Sequence, residues 1–576
     1  LGDNRPGAQN PSNDDASVLS LARLLWPLLR PHRFRFALSI LAGFGTGASM
    51  LALPWFGKQA VNVAAGRPAP VSIGSLLAYF FLLLTVLAVC RFANALLSSR
   101  IANRVVADLR HDVFRRTLRL PVAYHERRRS ADLVSVISSD ATFPQSLITH
   151  LIPAVLRHGP VLAVGVVYLF STSWRLTSVL SAAALLLVVL GIALGRRLRE
   201  IGNAIQESLA NVATAAQESF LGIRMIKALS LEAFFSDRHN RRVVETKLLR
   251  DRAVLYGALF HSLATVATVG LGGLTIWLGT RYVLSGRMDL GDLTAYSTFV
   301  FLVASAGGTL AIAYIQLEGI LGMARRVANL LGVDPEAPRE GKVRLDPRRG
   351  HLQFEDTSFT YPGTDVGVFD ISLEVRRGRL TALTGPNGSG KSTLIKLAVG
   401  LYEPTSGRVR LDGFETVNVS RRDWRSRFGW LDREPTFFGL TIAEYIGLGK
   451  LGADREEILE AARAAEVSAF VERLPDGYET TIGEVGGNLS AGQRQRIALA
   501  QLLLHDPPVI LLDEALTSLD FGTEEALMAR LLGLWKERTV IVVTHRKETL
   551  DLADQVIRLD SGRIAERREQ GAPHGA

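Results

Sequence analysis

The sequence predicts two unlike halves in one chain. The first is a bundle of six membrane-spanning α-helices with long cytoplasmic extensions. The second is an α/β domain built around a phosphate-holding loop. Three observations lead there. Uncharged apolar runs of about twenty residues, enough to cross a bilayer, recur through the first half. Beyond Leu331, short β-rich runs alternate with helical patterns, as in a largely parallel sheet. The stretch LTGPNGSGKSTL, Leu383 to Leu394, sits between a strand and a helix and is built to hold phosphate.

The chain has 576 residues, too many for one ordinary domain. It is 48% hydrophobic, so membrane segments are expected but cannot fill it. Residues 1–20, including NPSNDDAS, are polar and acidic and are expected to be a disordered tail rather than a secretory signal. The membrane domain is expected over residues 21–330. It opens with SVLSLARLLWPLLRPHRFRF, in which apolar residues at helical spacing stand among arginines, the pattern of a helix lying on a membrane surface. The spans fall at about 36–56, 73–92, 150–170, 176–194, 253–278 and 294–315. Polar residues interrupt the third run and glycines the fifth.

Charge orients the spans. Dense basic series lie at Arg100–Arg129 and Arg196–Arg252, whereas Lys58–Ala69, Ser171–Arg175 and Arg281–Leu290 carry few positive charges. Cytoplasmic loops collect Lys and Arg, so the N-terminus and the second half are expected inside, on the cytoplasmic face of the inner membrane. The same reasoning accounts for the net charge of +10. No groove-reading motif accompanies it, so no nucleic-acid partner is expected. A single cysteine, Cys90, excludes a disulfide within the chain.

Residues 331–350, GVDPEAPREGKVRLDPRRG within them, are expected to be a linker, and residues 351–576 the nucleotide domain. There Gly385, Gly390, Lys391 and Ser392 complete G-x-x-x-x-G-K-S/T. The glycines let backbone N–H groups turn toward phosphate oxygens, Lys391 brings charge to the β- and γ-phosphates, and the Ser392 hydroxyl can ligate Mg²⁺. Asn387, Gly388, Ser389 and Thr393 complete the candidate ATP-binding loop. The strand VILLDE ends in Asp513, placed for the Mg²⁺ shell, and Glu514, placed to orient or deprotonate water.

LSAGQRQRIALAQLLL, Leu489 to Leu504, resembles the signature sequence of ABC transporters. Six spans followed by one such domain resembles the half-transporter layout of the family's bacterial-type exporters. The resemblance covers nearly the whole chain. It implies that Ser490, Gly492 and Gln493 bind the γ-phosphate of ATP held by an opposite subunit, with Ala491 standing where the family usually has glycine. It implies that Tyr361 stacks on adenine and that His545 is the switch histidine. Ser518, Leu519 and Asp520 resemble the loop that communicates across the subunit interface, and Glu484 the segment that touches the membrane domain. AYHERRRSADLVSVISSDA and QESFLGIRMIKALSLEAFF resemble the two cytoplasmic coupling regions.

The expectation is therefore an ATP- and Mg²⁺-dependent export pump working by alternating access as a dimer. A second copy of the chain is the expected partner, because the base Glu514 and a nearly regular signature share one chain. One half of a heterodimer, or an ATP-gated channel or regulator on the same scaffold, is the alternative. The cargo is left open among a drug-like compound, a lipid and a peptide. His150, Arg157, Arg91 and Asn94 either face the cavity as an anion site or serve as ordinary membrane-flanking residues. One position departs from the family: Arg433 replaces a glutamine. An arginine cannot ligate a metal. It is expected to pair with the γ-phosphate or to turn to Asp432 or Glu434, altering coupling without abolishing hydrolysis.

Overall fold

The computed structural model describes residues 18–67, 72–128, 130–336, 344–346, 349–483, 489–515 and 521–569. The chain forms two compact units. The first comprises residues 1–118 and 130–333, the second residues 119–129 and 334–576.

The first unit is helical. α1 (Val18–Leu29) leads to α2 (Arg33–Ala64) and α3 (Ile73–Thr117). α4 (Val122–Arg127) belongs to the second unit. α5 (Ser130–Ser138), α6 (Phe143–Ser146) and a π-turn at Leu147–Leu151 lead into α7 (Ile152–Thr172). Then follow α8 (Trp174–Leu221), α9 (Ile223–Ala228), α10 (Glu232–Leu284) and α11 (Leu290–Leu331). At 45, 48 and 53 residues, α3, α8 and α10 far exceed the roughly 20 residues a bilayer needs. Among the described residues, four segments are long and apolar enough to cross a membrane: Leu25–Ala64, Ile73–Thr117, Ser130–Thr172 and Leu290–Leu331. The expected fourth and fifth runs fall on α8 and α10, parts of which lie outside the described side chains.

Small residues let these helices approach closely, as packing without water demands. A Cβ on Gly165 would lie 2.5 Å from Val303, and one on Gly291 2.9 Å from the Lys58 carbonyl. Tyr296 is fully buried, and its hydroxyl lies 2.8 Å from Thr177 Oγ1, so a polar group is satisfied inside the bundle. Asp140, almost buried, takes both prongs of Arg326 at 2.6 and 2.7 Å.

The second unit stacks two sheets. β1 (Leu352–Thr360), β2 (Gly367–Val375), β4 (Ser406–Leu411) and β5 (Phe414–Glu415) form an antiparallel sheet in the order β2-β1-β4-β5. β3 (Leu380–Thr384), β6 (Phe428–Leu431), β7 (Val509–Asp513), β8 (Thr539–Val543), β9 (Gln555–Asp560) and β10 (Arg563–Glu569) form the other, in the order β10-β9-β3-β8-β7-β6. Its ladder is parallel from β9 to β6, with β10 as an antiparallel edge. Every residue of β7 and β8 is buried, as a parallel sheet covered on both faces requires. α12 (Lys391–Ala398) follows β3, and α17 (Ala491–His505) precedes β7. The C-terminal ends of β3, β6, β7 and β8 thus share one edge, where α/β sheets bind ligands.

Candidate nucleotide site

A cavity of about 340 Å³ opens at that edge. The loop Asn387–Thr393 lines it, together with Asp432, Arg433, Asp513 and Glu514 from the ends of β6 and β7. Val366 and Gly367, at the start of β2, close the remaining side. These two carry no motif and were not legible from sequence.

The loop's shape explains its glycines. Gly385 has φ +138°, and a Cβ there would lie 2.0 Å from the Leu559 carbonyl oxygen. Gly390 has φ +102°, and a Cβ would meet Val368 at 2.5 Å. Both are conformations that side chains resist. Lys391 is buried, and its ammonium donates to the carbonyls of Gly385 and Pro386, both at 2.8 Å. Burial lowers its pKa against the pull of Glu514 and Asp513. Ser389 Oγ is buried with no hydrogen-bond partner, an orphan of the kind a phosphate oxygen satisfies.

Burial raises the pKa of Asp513, opposed by its hydrogen bond with Ser392. A serine hydroxyl and a carboxylate side by side are hard oxygen donors, so they fit Mg²⁺. No group of three or more His, Cys, Asp or Glu suited to a metal exists among the described residues, so phosphate oxygens and water would complete its shell. Glu514 has φ +47°, a strained setting for a non-glycine residue. Its N–H is fixed by the Val543 carbonyl at 3.2 Å. His545 Nε2 lies 3.7 Å from Glu514 Oε1, which joins the two expected catalytic side chains.

The Arg433 side chain turns to neither Asp432 nor Glu434. Its guanidinium Nη1 lies 3.0 Å from Glu514 Oε2, while Asp432 engages only the Arg433 backbone N–H, at 2.7 Å. Buried Gln495 holds the Arg433 carbonyl at 3.2 Å. The cationic side chain reaches past its sequence neighbours because the nearest carboxylate across the cavity is the one at the end of β7.

Other expected residues stand apart. Tyr361 does not line the cavity but reaches its wall, with its hydroxyl 3.3 Å from Thr393 Oγ1. Its ring packs edge-on against Phe359 and Tyr402. Lys396 Nζ lies 5.7 Å from the Tyr361 centroid and 5.9 Å from that of Tyr402. That ammonium also bonds Glu126 of α4 at 3.0 Å, and the Tyr402 hydroxyl donates to the same carboxylate. Burial opposes ionisation of Glu126, but the Tyr402 and Lys396 bonds prevail and lower its pKa. An aromatic cluster beside the phosphate loop is thereby tied to the segment read as a coupling region.

Ser490, Gly492 and Gln493 do not line the cavity either. Ser490 caps α17: its Oγ accepts the Gln493 N–H at 3.2 Å, and its own N–H donates to Gln493 Oε1 at 2.8 Å. Glu484, Ser518, Leu519 and Asp520 lie outside the described residues. In the first unit, Asn94 is buried and donates to the Ser39 carbonyl at 2.7 Å, so it serves helix packing. Arg157 is half-buried and His150 exposed.

With this geometry in hand, the comparisons are specific. A family model described as the ABC transporter transmembrane region matches residues 36–306, and one described as ABC transporter matches residues 368–517. The ATP-binding cassette sub-family B member 10, mitochondrial, of Mus musculus is 33% identical over 563 residues, covering 94% of this chain and 78% of that protein. The ATP-dependent lipid A-core flippase of Pseudomonas aeruginosa is 31% identical over 568 residues, covering 96% and 85%. A solved structure of a bacterial Atm1-family ABC exporter with ATP bound superposes with a TM-score of 0.75 at 25% identity, covering 93% of this chain and 95% of that one.

Proposed function

Since the chain belongs to the ABC transporter superfamily, as an exporter-type half-transporter whose ATPase drives transport, we propose that two copies pair to export an amphipathic lipid across the inner membrane. The observation that carries the pairing is the separation inside one chain. The phosphate loop, Asp513 and Glu514 share a cavity, whereas Ser490, Gly492 and Gln493 do not line it. A second copy's signature segment completes the site. The start of α17 suits that role, because free N–H groups at a helix start favour an anion.

In the paired state Lys391 exchanges the carbonyls of Gly385 and Pro386 for phosphate oxygens. Ser392 and Asp513 would hold Mg²⁺, which would supply positive charge beside the transferred group. Glu514 orients the attacking water, His545 contacts the γ-phosphate, and Tyr361 stacks on adenine. Driving a gate from about 1:99 to 99:1 needs roughly 5.5 kcal/mol of differential binding, a demand that two sandwiched nucleotides can meet. The lipid reading of the cargo is supported by the relatives named as lipid A-core flippases. The cytoplasmic placement of the N-terminus and nucleotide domain is supported by the basic series on α3, α8 and α10.

The test is transport into proteoliposomes against a gradient, with fluorescent lipid, drug-like and peptide cargoes, for wild type and Glu514→Gln. ATP-dependent lipid accumulation in the wild type alone supports the reading. Equal movement in both proteins points to a channel and overturns it.

A further inference from the structure

The seam between α2 and α3 carries two adjoining features that nucleotide chemistry leaves unused. At the start of α2 a cavity of about 230 Å³ is lined by His32, Arg35, Leu97, Arg100, Ile101 and Arg104. Three arginines and a histidine line it, and no carboxylate does. Among the described residues, none of the four side chains has a hydrogen bond or ion pair. An anion placed among them would gain charge-assisted hydrogen bonds from the guanidinium groups.

One helical turn further along both helices, an apolar groove of about 570 Å³ begins, lined by Leu38, Phe44 and Ala48 of α2, Val89 and Cys90 of α3, and Pro160 of α7. Cavity and groove follow one another along the same pair of helices. Asn94 Nδ2 bonds the Ser39 carbonyl at 2.7 Å, and a Cβ on Gly45 would lie 2.9 Å from Cys90 Sγ, so the helices run antiparallel in close register past both. The depth is that of a membrane interface. Arg35 directly precedes the uncharged run from Phe36 to Phe56. Phe34, next to Arg35 in the chain, is 81% exposed, as an interfacial aromatic is.

We propose that this seam holds one anionic phospholipid of the surrounding bilayer, with its phosphate among Arg35, Arg100 and Arg104 and an acyl chain along the groove. Guanidinium groups match phosphate oxygens two by two, and basic pockets between transmembrane helices on the cytoplasmic side take such headgroups. The lipid is a resident of the fold. The inference rests on α2 and α3 spanning the bilayer and is independent of which cargo is exported.

The test is native mass spectrometry of the purified, delipidated full chain. It is titrated with phosphatidylglycerol, with phosphatidylcholine and with inorganic phosphate, alongside the double variant Arg35→Gln/Arg100→Gln and the variant Ala48→Phe. ATP binding in the same samples identifies folded protein, and ATP-driven transport is read separately, so a failure here leaves that reading intact. Phosphatidylglycerol should bind the wild type one to one and well above phosphatidylcholine. The double variant should weaken it about thirty-fold, about five-fold per charge. Ala48→Phe, which fills the groove, should weaken the lipid and leave inorganic phosphate unchanged. Equal retention of both lipids, an unaffected double variant, or inorganic phosphate binding as tightly as the lipid would each overturn the proposal.

Discussion

Replacing Arg433 by glutamine should raise the basal ATPase rate. The guanidinium sits 3.0 Å from Glu514, the group proposed to orient water, so it competes with water for that carboxylate. The arginine side chain is 66% exposed and the glutamate 20%, so solvent screens the pair. Exposed pairs of this kind are worth about 0.2–1 kcal/mol. At 1.36 kcal/mol per tenfold change in rate, releasing Glu514 is expected to accelerate hydrolysis about 1.4- to 5-fold. The assay is phosphate release by purified full-length protein at saturating MgATP, at low and high salt. Salt weakens exposed pairs, so the wild-type rate should climb toward that of Arg433→Gln as ionic strength rises, while the variant changes less. An unchanged basal rate would refute the reasoning. So would a fall of tenfold or more, which would place Arg433 among the groups that stabilise the transition state.

Three further outcomes are expected. Glu514→Gln should lose on the order of 10²- to 10⁴-fold in turnover while still binding ATP, as fluorescent-nucleotide titration would show. Glu126→Gln should weaken the bonds from Lys396 and Tyr402, leaving basal hydrolysis near normal while cargo stimulation falls; intact stimulation would separate α4 from coupling. Gly385→Ala places a methyl 2.0 Å from the Leu559 carbonyl, so thermal unfolding of the nucleotide domain should shift downward and ATP binding should fail, whereas Gly388→Ala, strained at φ +79° but with nothing within 4 Å to clash, should perturb the fold less.

Legibility followed the range of the interactions. The phosphate loop could be read because its chemistry is local: glycines at set offsets, then lysine and serine at a helix start. The strand ending in Asp513 and Glu514 could be read for the same reason. The antiparallel β2-β1-β4-β5 sheet was less visible, since its strands are half-exposed and broken by register shifts. The partner of Arg433 was not visible at all. Sequence proximity favoured Asp432 and Glu434, but β6 and β7 lie side by side, and the pairing belongs to that adjacency. Asn94 was open between two roles for a different reason. A polar residue in an apolar run can face a cavity or a neighbouring helix, and only the facing helix shows that its amide is spent on the Ser39 carbonyl.

Lys391 already clasps the carbonyls of its own loop. Those two bonds draw the loop's ends together from inside, so the curvature of the phosphate cradle is written into the chain's own carbonyls and one ammonium.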